Sequence, residues 1–227
     1  MTTKNTPVYV YYESLCPDSQ AFITKQLYPA MKMLKDHVDL HLIPFGKSTY
    51  QTRGADTTFE CHHGPNECYG NKIQACAINH IQVDSFQQEN TRETLIVEYI
   101  NCLMKNDYKD VVYPSLARNC STQVQVKNFD SIQTCANSTE GSKYLEQMGE
   151  MTLKLQNPLK SVPTITIKES YDDKIQNLAL TDFSSAVCQN LPKPIPAVCR
   201  AYSSATSISG SIVLGVLSLV ASLSLMM

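Results

Sequence analysis

The pattern of apolar and polar residues changes from that of a strand to that of a helix around Cys16. Residues 8–12 are β-branched or aromatic without a polar interruption, which is typical of a buried strand. After Cys16-Pro17-Asp18-Ser19, apolar residues recur at helical spacing: Phe22, Ile23, Leu27, Ala30, Met31 and Leu34. The sequence therefore predicts a strand that delivers Cys16 to the start of a helix, with a kink at Pro29.

Further along the chain, the pattern predicts a second strand, a long helical region and a return to strands. Residues 38–44 alternate as a strand, whereas residues 47–157 show no strand pattern and contain amphipathic helical stretches near 71–86, 91–105, 125–136 and 140–155. Residues 161–168 resume the sheet, 170–173 form a turn, and 174–176 return as a short strand. Thr181 and Asp182 then cap a helix that reaches Cys188.

Strand, helix, strand, insertion, hairpin and helix is the element order of a thioredoxin-like α/β fold with a helical, disulfide-stapled insertion. We expect one domain over residues 7–192, with its core in 7–46 and 159–192 and the insertion in 47–158. A linker follows over 193–207, and a hydrophobic tail over 208–227.

Cys16 is the candidate nucleophile. Unpaired backbone N–H groups and the positive end of the helix dipole stabilise a thiolate at a helix N-terminus, and the thiolate is the reactive form of cysteine. Position 19 is Ser, so the second cysteine of a Cys-x-x-Cys pair is missing.

Pro163 is the third candidate site residue, beside Cys16 and Ser19. In the thioredoxin-like fold, a proline with a cis bond, preceded by a small or β-branched residue, faces the active cysteine, and Val162-Pro163-Thr164 stands in the matching place. The alternative is a proline at the first residue of an edge strand, where no ladder donor is lost. The context of Cys16 favours the cis proline.

The segment 61–76 is dense in cysteine and histidine. Its three cysteines and two histidines could bind zinc, since thiolate and imidazole are preferred zinc ligands. The segment has no Cys-x-x-Cys, however, and Gly64, Pro65 and Gly70 favour a loop stapled by disulfides over a metal site. Nine cysteines minus Cys16 leave an even set of eight, compatible with four bridges: Cys61, Cys68, Cys76, Cys102, Cys120, Cys135, Cys188 and Cys199. Cys16 should be free.

Composition narrows the class of protein. At 227 residues with 43% hydrophobic content the chain can bury a core, and a net charge of −2 without long like-charge runs gives no sign of a nucleic-acid surface. Nine cysteines indicate an oxidising compartment. The sequons at Asn119 and Asn137 agree with that, weakly.

The pattern Cys, any, His-Gly, two residues, Glu-Cys, two residues, Asn, four residues, Cys resembles the signature of the gamma-interferon-inducible lysosomal thiol reductase family. The matching residues are Cys61, His63, Gly64, Glu67, Cys68, Asn71 and Cys76, while His62 stands where the family usually has Gln. The resemblance runs from Val8 to about Cys199. It implies a reductase of protein disulfides in the secretory or endolysosomal route, active at acidic pH. Members normally carry Cys-x-x-Cys, so Ser19 affects the resolving step.

Four other polar residues receive structural interpretations. His37 and His41 flank the second strand and are expected to be surface histidines, not general bases. We expect Glu13 to be an exposed loop carboxylate, because a negative charge beside Cys16 would disfavour the thiolate. Asp18 is expected to serve as a first-turn acceptor, as is Ser19.

The two ends of the chain bear on its location. Residues 1–7 lack the apolar core of a secretory signal. The apolar run from about Ile212 to Met227 contains no charge, and its 16 residues are short for a spanning helix. Small residues, a spacer and an apolar tail favour a glycolipid-anchor signal, with a tail-anchored helix from Ile208 or a vestigial tail as alternatives.

Two functions follow from this reading. The first is a thiol–disulfide oxidoreductase that uses Cys16 on disulfide-containing proteins, needs a small external thiol and requires no cofactor or metal. The second is a secreted or surface-held binding module that keeps the scaffold without turnover.

Overall fold

The structure, a computed structural model, describes residues 5–54, 56–83, 91–105 and 112–203. In these ranges the strands are β1 (Thr6–Tyr12), β2 (Val38–Pro44), β3 (Thr49–Arg53), β4 (Asp56–Glu60) and β5 (Thr164–Ile167). The helices of the same ranges are α1 (Pro17–Phe22), α2 (Tyr28–Leu34), α3 (Pro65–His80), α4 (Arg92–Met104), α5 (Tyr113–Gln123), α6 (Phe129–Ala136), α7 (Thr139–Leu155), α8 (Asp173–Thr181), α9 (Phe183–Asn190) and α10 (Arg200–Ser203). A π-helical segment, Ile23–Leu27, joins α1 to α2, and a 3₁₀ turn, Ala197–Cys199, precedes α10.

The central sheet has the strand order β2-β1-β5. β1 pairs in parallel with β2, from Thr6 opposite Val38 to Tyr12 opposite Pro44, and antiparallel with β5, with Tyr11 opposite Thr164. Val8, Val10 and Tyr12, which lie on one face of β1, are fully buried in the main core. The predicted first two strands and the strand at 164–167 are confirmed.

The predicted kink at Pro29 corresponds to a change of helix type just before it. Pro29 lacks an N–H, so it cannot continue a regular α-helical hydrogen-bond ladder, and it lies in the first turn of α2 after the π-helical segment. The apolar face continues through this region, and Ile23, Leu27 and Leu34 are almost completely buried.

The prediction that residues 47–157 contain no strand is wrong. β3 and β4 form an antiparallel hairpin with Thr49 opposite Glu60 and Arg53 opposite Asp56. The hairpin packs through Tyr50, whose ring lies 6.0 Å from that of Phe45 and 6.1 Å from that of Phe59. The helical stretches predicted near 91–105, 125–136 and 140–155 are confirmed by α4, α6 and α7, and α5 is an additional helix. The stretch predicted near 71–86 corresponds to α3, which ends at His80, and residues 84–86 lie outside the described residues.

The prediction of a strand at 174–176 is also wrong. An isolated bridge joins Ile167 to Ser170, but the chain then enters α8. The carboxylate of Asp172 caps this helix by accepting the backbone N–H groups of Lys174 and Ile175, at 2.8 and 2.9 Å. Asp182 caps α9 as predicted, whereas Thr181 belongs to α8.

Residues 1–4 and 204–227 lie outside the described residues. They include the end of the predicted linker and the whole predicted hydrophobic tail. Within the described part, no helix has the length and apolar character needed to cross a membrane.

Candidate active site

Cys16 is the N-cap residue of α1, as predicted. Pro17 occupies the first helical position, where its missing N–H costs nothing, and the N–H of Gln20 donates to the carbonyl of Cys16 at 2.9 Å. All nine cysteines lie in described residues, and Cys16 is the free one. It retains 7% of its surface, so the thiol sits at a helix N-terminus under a nearly closed surface.

Ser19 lies one helical turn after Cys16 and is fully buried. Its Oγ accepts the backbone N–H of Glu13 at 3.4 Å, across the loop that joins β1 to α1. We refer to residues 13–16 of this loop as the redox loop. Ser19, at the position of the second cysteine in a Cys-x-x-Cys pair, is therefore hydrogen-bonded to the redox loop.

The peptide bond between Val162 and Pro163 is cis, as the sequence predicted. Thr164, the next residue, pairs with Tyr11, so Pro163 lies at the end of β1 from which the redox loop leaves. Gln176 of α8 fixes this end of β5, since its amide donates to the carbonyl of Pro163 at 2.9 Å and accepts the N–H of Ile165 at 2.7 Å.

Three polar side chains of α3 hold the redox loop and the end of β1. Glu67, Asn71 and Gln74 are spaced four and three residues apart, which puts them on one face of the helix. Asn71 accepts the N–H of Ser14 at 2.9 Å, Glu67 accepts the N–H of Leu15 at 3.3 Å, and Gln74 accepts the hydroxyl of Tyr12 at 2.6 Å. All three are fully buried, so each bond forms away from water.

The carbonyl of Ser14 is also held. It accepts the hydroxyl of the buried Tyr113 at 3.1 Å and the side-chain amide of Gln20 at 3.2 Å. The backbone before Cys16 is therefore fixed by α1, α3 and α5 together, which defines where the thiol stands.

The prediction of an exposed Glu13 is wrong, because its side chain has no exposed surface. Oε1 accepts the backbone N–H of Lys47 at 2.7 Å. The carboxylate lies against Gly46, where the Cβ of any other residue would come within 2.2 Å of Glu13 Cγ, and the φ of +63° at Gly46 also favours glycine. The carboxylate is thus a buried part of the site.

Glu67 and His63 form a close pair beside Glu13. Nδ1 of His63 lies 2.6 Å from Oε2 of Glu67, and the backbone N–H of His63 donates to Oε1 at 3.0 Å. Burial raises the pKa of Glu67, the hydrogen bonds and charge of His63 lower it, and the Glu13 carboxylate raises it, with a net upward shift. Two buried carboxylates therefore share the space around one imidazole.

The eight other cysteines form four bridges: Cys61–Cys68, Cys76–Cys135, Cys102–Cys120 and Cys188–Cys199. The prediction of a free Cys16 and four disulfides is confirmed. Cys61 and Cys68 close the loop that carries the two histidines, while Cys76 reaches α6. None of the three cysteines in segment 61–76 is a thiolate that could bind zinc.

The remaining predicted residues lie apart from these contacts. Asp18 is exposed in the first turn of α1. His41 stacks on Tyr9 and lies 3.2 Å from Asp39 on the β2 surface, and His37 is half-buried in the turn before β2. Sequence reasoning missed the roles of Glu13, Gln74 and Tyr113, although the spacing of Glu67, Asn71 and Gln74 was a signal for a polar helix face.

Comparison with known proteins shows the family and the fold of this chain. The sequence model described as "Gamma interferon inducible lysosomal thiol reductase (GILT)" matches residues 7–124, slightly over half of the 227-residue chain. A gamma-interferon-inducible lysosomal thiol reductase-like protein of Anopheles gambiae is 54% identical over 83% of this chain and 78% of its own length. GILT-like protein 1 of Drosophila melanogaster is 49% identical over 93% of this chain and 85% of its own length.

Among solved structures, oxidised BdbD from Bacillus subtilis resembles the fold with a TM-score of 0.52 at 11% identity, covering 77% of this chain and 87% of that one. The fold is thioredoxin-like. The family match makes the chain a thiol–disulfide oxidoreductase. Within that class, the chain belongs to the gamma-interferon-inducible lysosomal thiol reductase family.

Proposed function

We propose that this chain reduces disulfides of protein substrates through Cys16 alone, with a small external thiol completing the cycle, in the secretory or endolysosomal route. The observation that carries the proposal is that Cys16, the free thiol among nine cysteines, caps α1 while position 19 holds a buried serine. Cys16 stands at the N-terminus of α1, and the eight other cysteines are oxidised.

The reaction balances without a resolving cysteine. The Cys16 thiolate attacks one sulfur of a substrate disulfide, forms a mixed disulfide and releases the other sulfur as a thiolate, which takes a proton. An external thiolate then attacks the sulfur of Cys16 and frees the second substrate thiol. A second external thiol attacks the new mixed disulfide and regenerates Cys16. Two external thiols are oxidised to one disulfide for each substrate disulfide reduced.

Ser19 cannot take the place of the external thiol. A serine hydroxyl is too weak an acid to supply a thiolate-like nucleophile, and its oxygen already accepts the N–H of Glu13. The mixed disulfide should therefore persist whenever external thiol is scarce.

The cellular route is supported by the chemistry of the chain's surface and bridges. Four disulfides are typical of an oxidising compartment. The sequon asparagines Asn119 and Asn137 are both exposed, as a glycan requires. Relatives of this chain carry lysosomal thiol reductase in their names.

Trapping the mixed disulfide tests the mechanism. The protein, with its four disulfides intact and Cys16 as a free thiol, is mixed at mildly acidic pH with a denatured, disulfide-containing substrate. Adducts are then separated by electrophoresis without reductant. We expect a reducible adduct that is absent from Cys16→Ala. Ser19→Cys should clear the adduct and raise turnover with a small thiol, because the resolving thiol becomes intramolecular and gains a large effective concentration.

Ser19→Ala is the matched control. Ser19→Ala removes the hydrogen bond to the N–H of Glu13, a bond that Ser19→Cys also weakens. It adds no thiol, so the mixed disulfide formed by Ser19→Ala should persist. Adduct formation or reductase activity that survives Cys16→Ala would overturn the mechanism. The absence of both in wild type with excess thiol would instead favour the binding module.

Attachment through the tail is a separate part of the proposal. A chain stopped after Tyr202 should keep the thermal transition of the full chain, because all the described core residues lie at or before Tyr202. Expressed in cells with a secretory signal, the full chain should reach the surface and be released by a glycolipid-specific phospholipase. Retention after that treatment would contradict a glycolipid anchor.

A further inference from the structure

Glu13, His62 and His63 bring one carboxylate oxygen and two imidazole nitrogens together beside the redox loop. Oε2 of Glu13 lies 3.4 Å from Nδ1 of His62 and 3.4 Å from Nδ1 of His63, and the three ligand atoms all lie within 4.8 Å of one another. A tetrahedral zinc ion with its usual bond lengths holds its ligand atoms about 3.3–3.5 Å apart. The carboxylate oxygen already stands at that spacing from both nitrogens.

The buried carboxylate of Glu13 has one oxygen without a close donor. Oε1 is satisfied by the N–H of Lys47 at 2.7 Å. Oε2 is contacted by Nδ1 of His62 and by Nδ1 of His63, each at 3.4 Å, which is the long end of the hydrogen-bond range. A fully buried carboxylate oxygen is therefore aimed at the space between two nitrogen ligands, and a cation in that space would satisfy it.

The charge of the cluster also favours a divalent cation. Oε2 of Glu67 lies 2.6 Å from the same Nδ1 of His63, and its side chain is as fully buried as that of Glu13. Two fully buried carboxyl groups, those of Glu13 and Glu67, therefore lie beside the two imidazoles. A divalent ion bound at Nδ1 of His63 takes the place of the proton that this nitrogen shares with Oε2 of Glu67, and it places positive charge beside both carboxyl groups.

The histidines are held in a closed loop that faces solvent. The Cys61–Cys68 disulfide fixes the two ends of the loop, and Gly64 turns it with a φ of +83° into the first turn of α3. The His62 side chain is 52% exposed and that of His63 25% exposed, so an ion can reach the buried carboxylates from this side.

We propose that Glu13, His62 and His63 bind a zinc ion. Two imidazoles with carboxylates suit zinc better than calcium or magnesium, which prefer sites made of oxygen ligands alone. The backbone carbonyl of Glu13 accepts the N–H of Cys16 at 3.4 Å, so the ion sits on the segment that positions the thiol. This site goes beyond the proposed reaction, which uses no metal.

Zinc titration of the tag-free full chain, with its four disulfides intact, tests the proposal. The chain is stripped with a chelator and titrated calorimetrically with a zinc salt at neutral pH, where imidazole is available as a ligand. We expect one zinc per chain, no saturable binding of magnesium or calcium at the same concentrations, and at least a tenfold loss of zinc affinity in His62→Gln. His62 is half exposed, so this variant should keep the wild-type thermal transition.

Two variants separate the proposed site from other ligands. His80→Gln removes a histidine outside the proposed site that also pairs with a glutamate, since His80 lies 3.2 Å from Glu140. The third residue of that group, Cys135, is held in a disulfide and cannot bind a metal as a thiolate. Cys16→Ser removes the free thiol. Both should bind zinc as wild type does. The proposal would be overturned if wild type showed no saturable zinc binding, or if His62→Gln bound zinc as tightly as wild type. Loss of zinc binding in either control variant would also overturn it.

A second readout reports the ligand type. Cobalt in a site of nitrogen and oxygen ligands gives visible absorption without a thiolate charge-transfer band. We expect this spectrum from wild type and its loss in Glu13→Gln. A thiolate band would overturn the assignment.

Discussion

Substitution of Gly70 by alanine should loosen the redox loop from α3. Gly70 lies on the α3 face that carries Glu67 and Asn71, and a Cβ there would come within 2.3 Å of Cζ of Tyr113 and 2.6 Å of Oγ of Ser14. The Tyr113 ring is fully buried and its hydroxyl is bonded to the carbonyl of Ser14, so the ring cannot move aside into solvent. Either the ring or the redox loop must shift.

The magnitude follows from three contributions. Overpacking in a buried site costs about 1–3 kcal/mol. Loss of the bond from Tyr113 to Ser14 costs about 1 kcal/mol. Alanine in a helix regains about 1 kcal/mol relative to glycine. The free energy of unfolding should therefore fall by a net of about 1–3 kcal/mol, and Tyr113→Phe alone should show the hydrogen-bond part.

Denaturant unfolding with the disulfides intact measures this change, and alkylation of Cys16 in the native state reports the redox loop. Gly141→Ala is the matched control, because its Cβ would crowd the carbonyl of Cys135 at 2.5 Å between α6 and α7. Both variants should lose stability, but only Gly70→Ala should change the alkylation rate of Cys16. A Gly70→Ala protein as stable as wild type, with the same alkylation rate, would refute the reasoning.

Three further predictions concern the elements around the site. Gln176→Leu should destabilise the chain by about 2–4 kcal/mol in denaturant unfolding, because it leaves the buried N–H of Ile165 and the carbonyl of Pro163 without their partner; an unchanged midpoint would contradict this. Asp172→Ala should lower the free energy of unfolding by about 1 kcal/mol, because α8 loses its N-cap. Asp173→Ala, which changes the neighbouring residue and leaves the cap in place, is the control, and an equal loss of stability in both variants would count against the capping role. Burial raises the pKa of Tyr11 to about 12 and that of Tyr12 and Tyr113 well above the ordinary value. Their neutral forms are favoured in the folded state, so this stability is complete below pH ~10 and is lost as the pH rises above it; phenolate absorbance should show these tyrosines ionising only as the chain unfolds, and reversible ionisation of all tyrosines near pH ~10 would contradict it.

Local sequence signals were enough for the elements that carry Cys16. The uninterrupted run of β1 and the helical spacing after Ser19 are properties of neighbouring residues, and the structure has both. The β3–β4 hairpin was missed because most of its residues are polar and exposed, leaving Tyr50 and Phe59 as its main apolar contacts. α8 was read as a strand because its start depends on one cap, Asp172, and not on a long periodic pattern.

The partners of the redox loop could not be read in the same way. The sequence predicts Glu13 in solvent because a negative charge beside Cys16 would disfavour the thiolate, yet its partners Lys47 and His62 lie 34 and 49 residues away along the chain. Its burial is decided by tertiary contacts that the loop sequence does not contain. The stripe of Glu67, Asn71 and Gln74 was visible as a spacing, but what it faces depends on how α3 packs against β1.

The burial of the disulfides has a consequence for how the proposed external thiol would act on the protein itself. A thiol strong and abundant enough to recycle Cys16 can also attack the chain's own bridges, and it must approach a sulfur directly to do so. Cys76, Cys120, Cys135 and Cys199 are at most 1% exposed, so three of the four bridges have at least one sulfur closed to that approach. Cys61–Cys68 is the least shielded, with Cys61 at 8% exposure and Cys68 half-buried. Partial reduction should therefore open first the loop beside the redox cysteine, so that excess reductant would impair the site before it unfolds the protein.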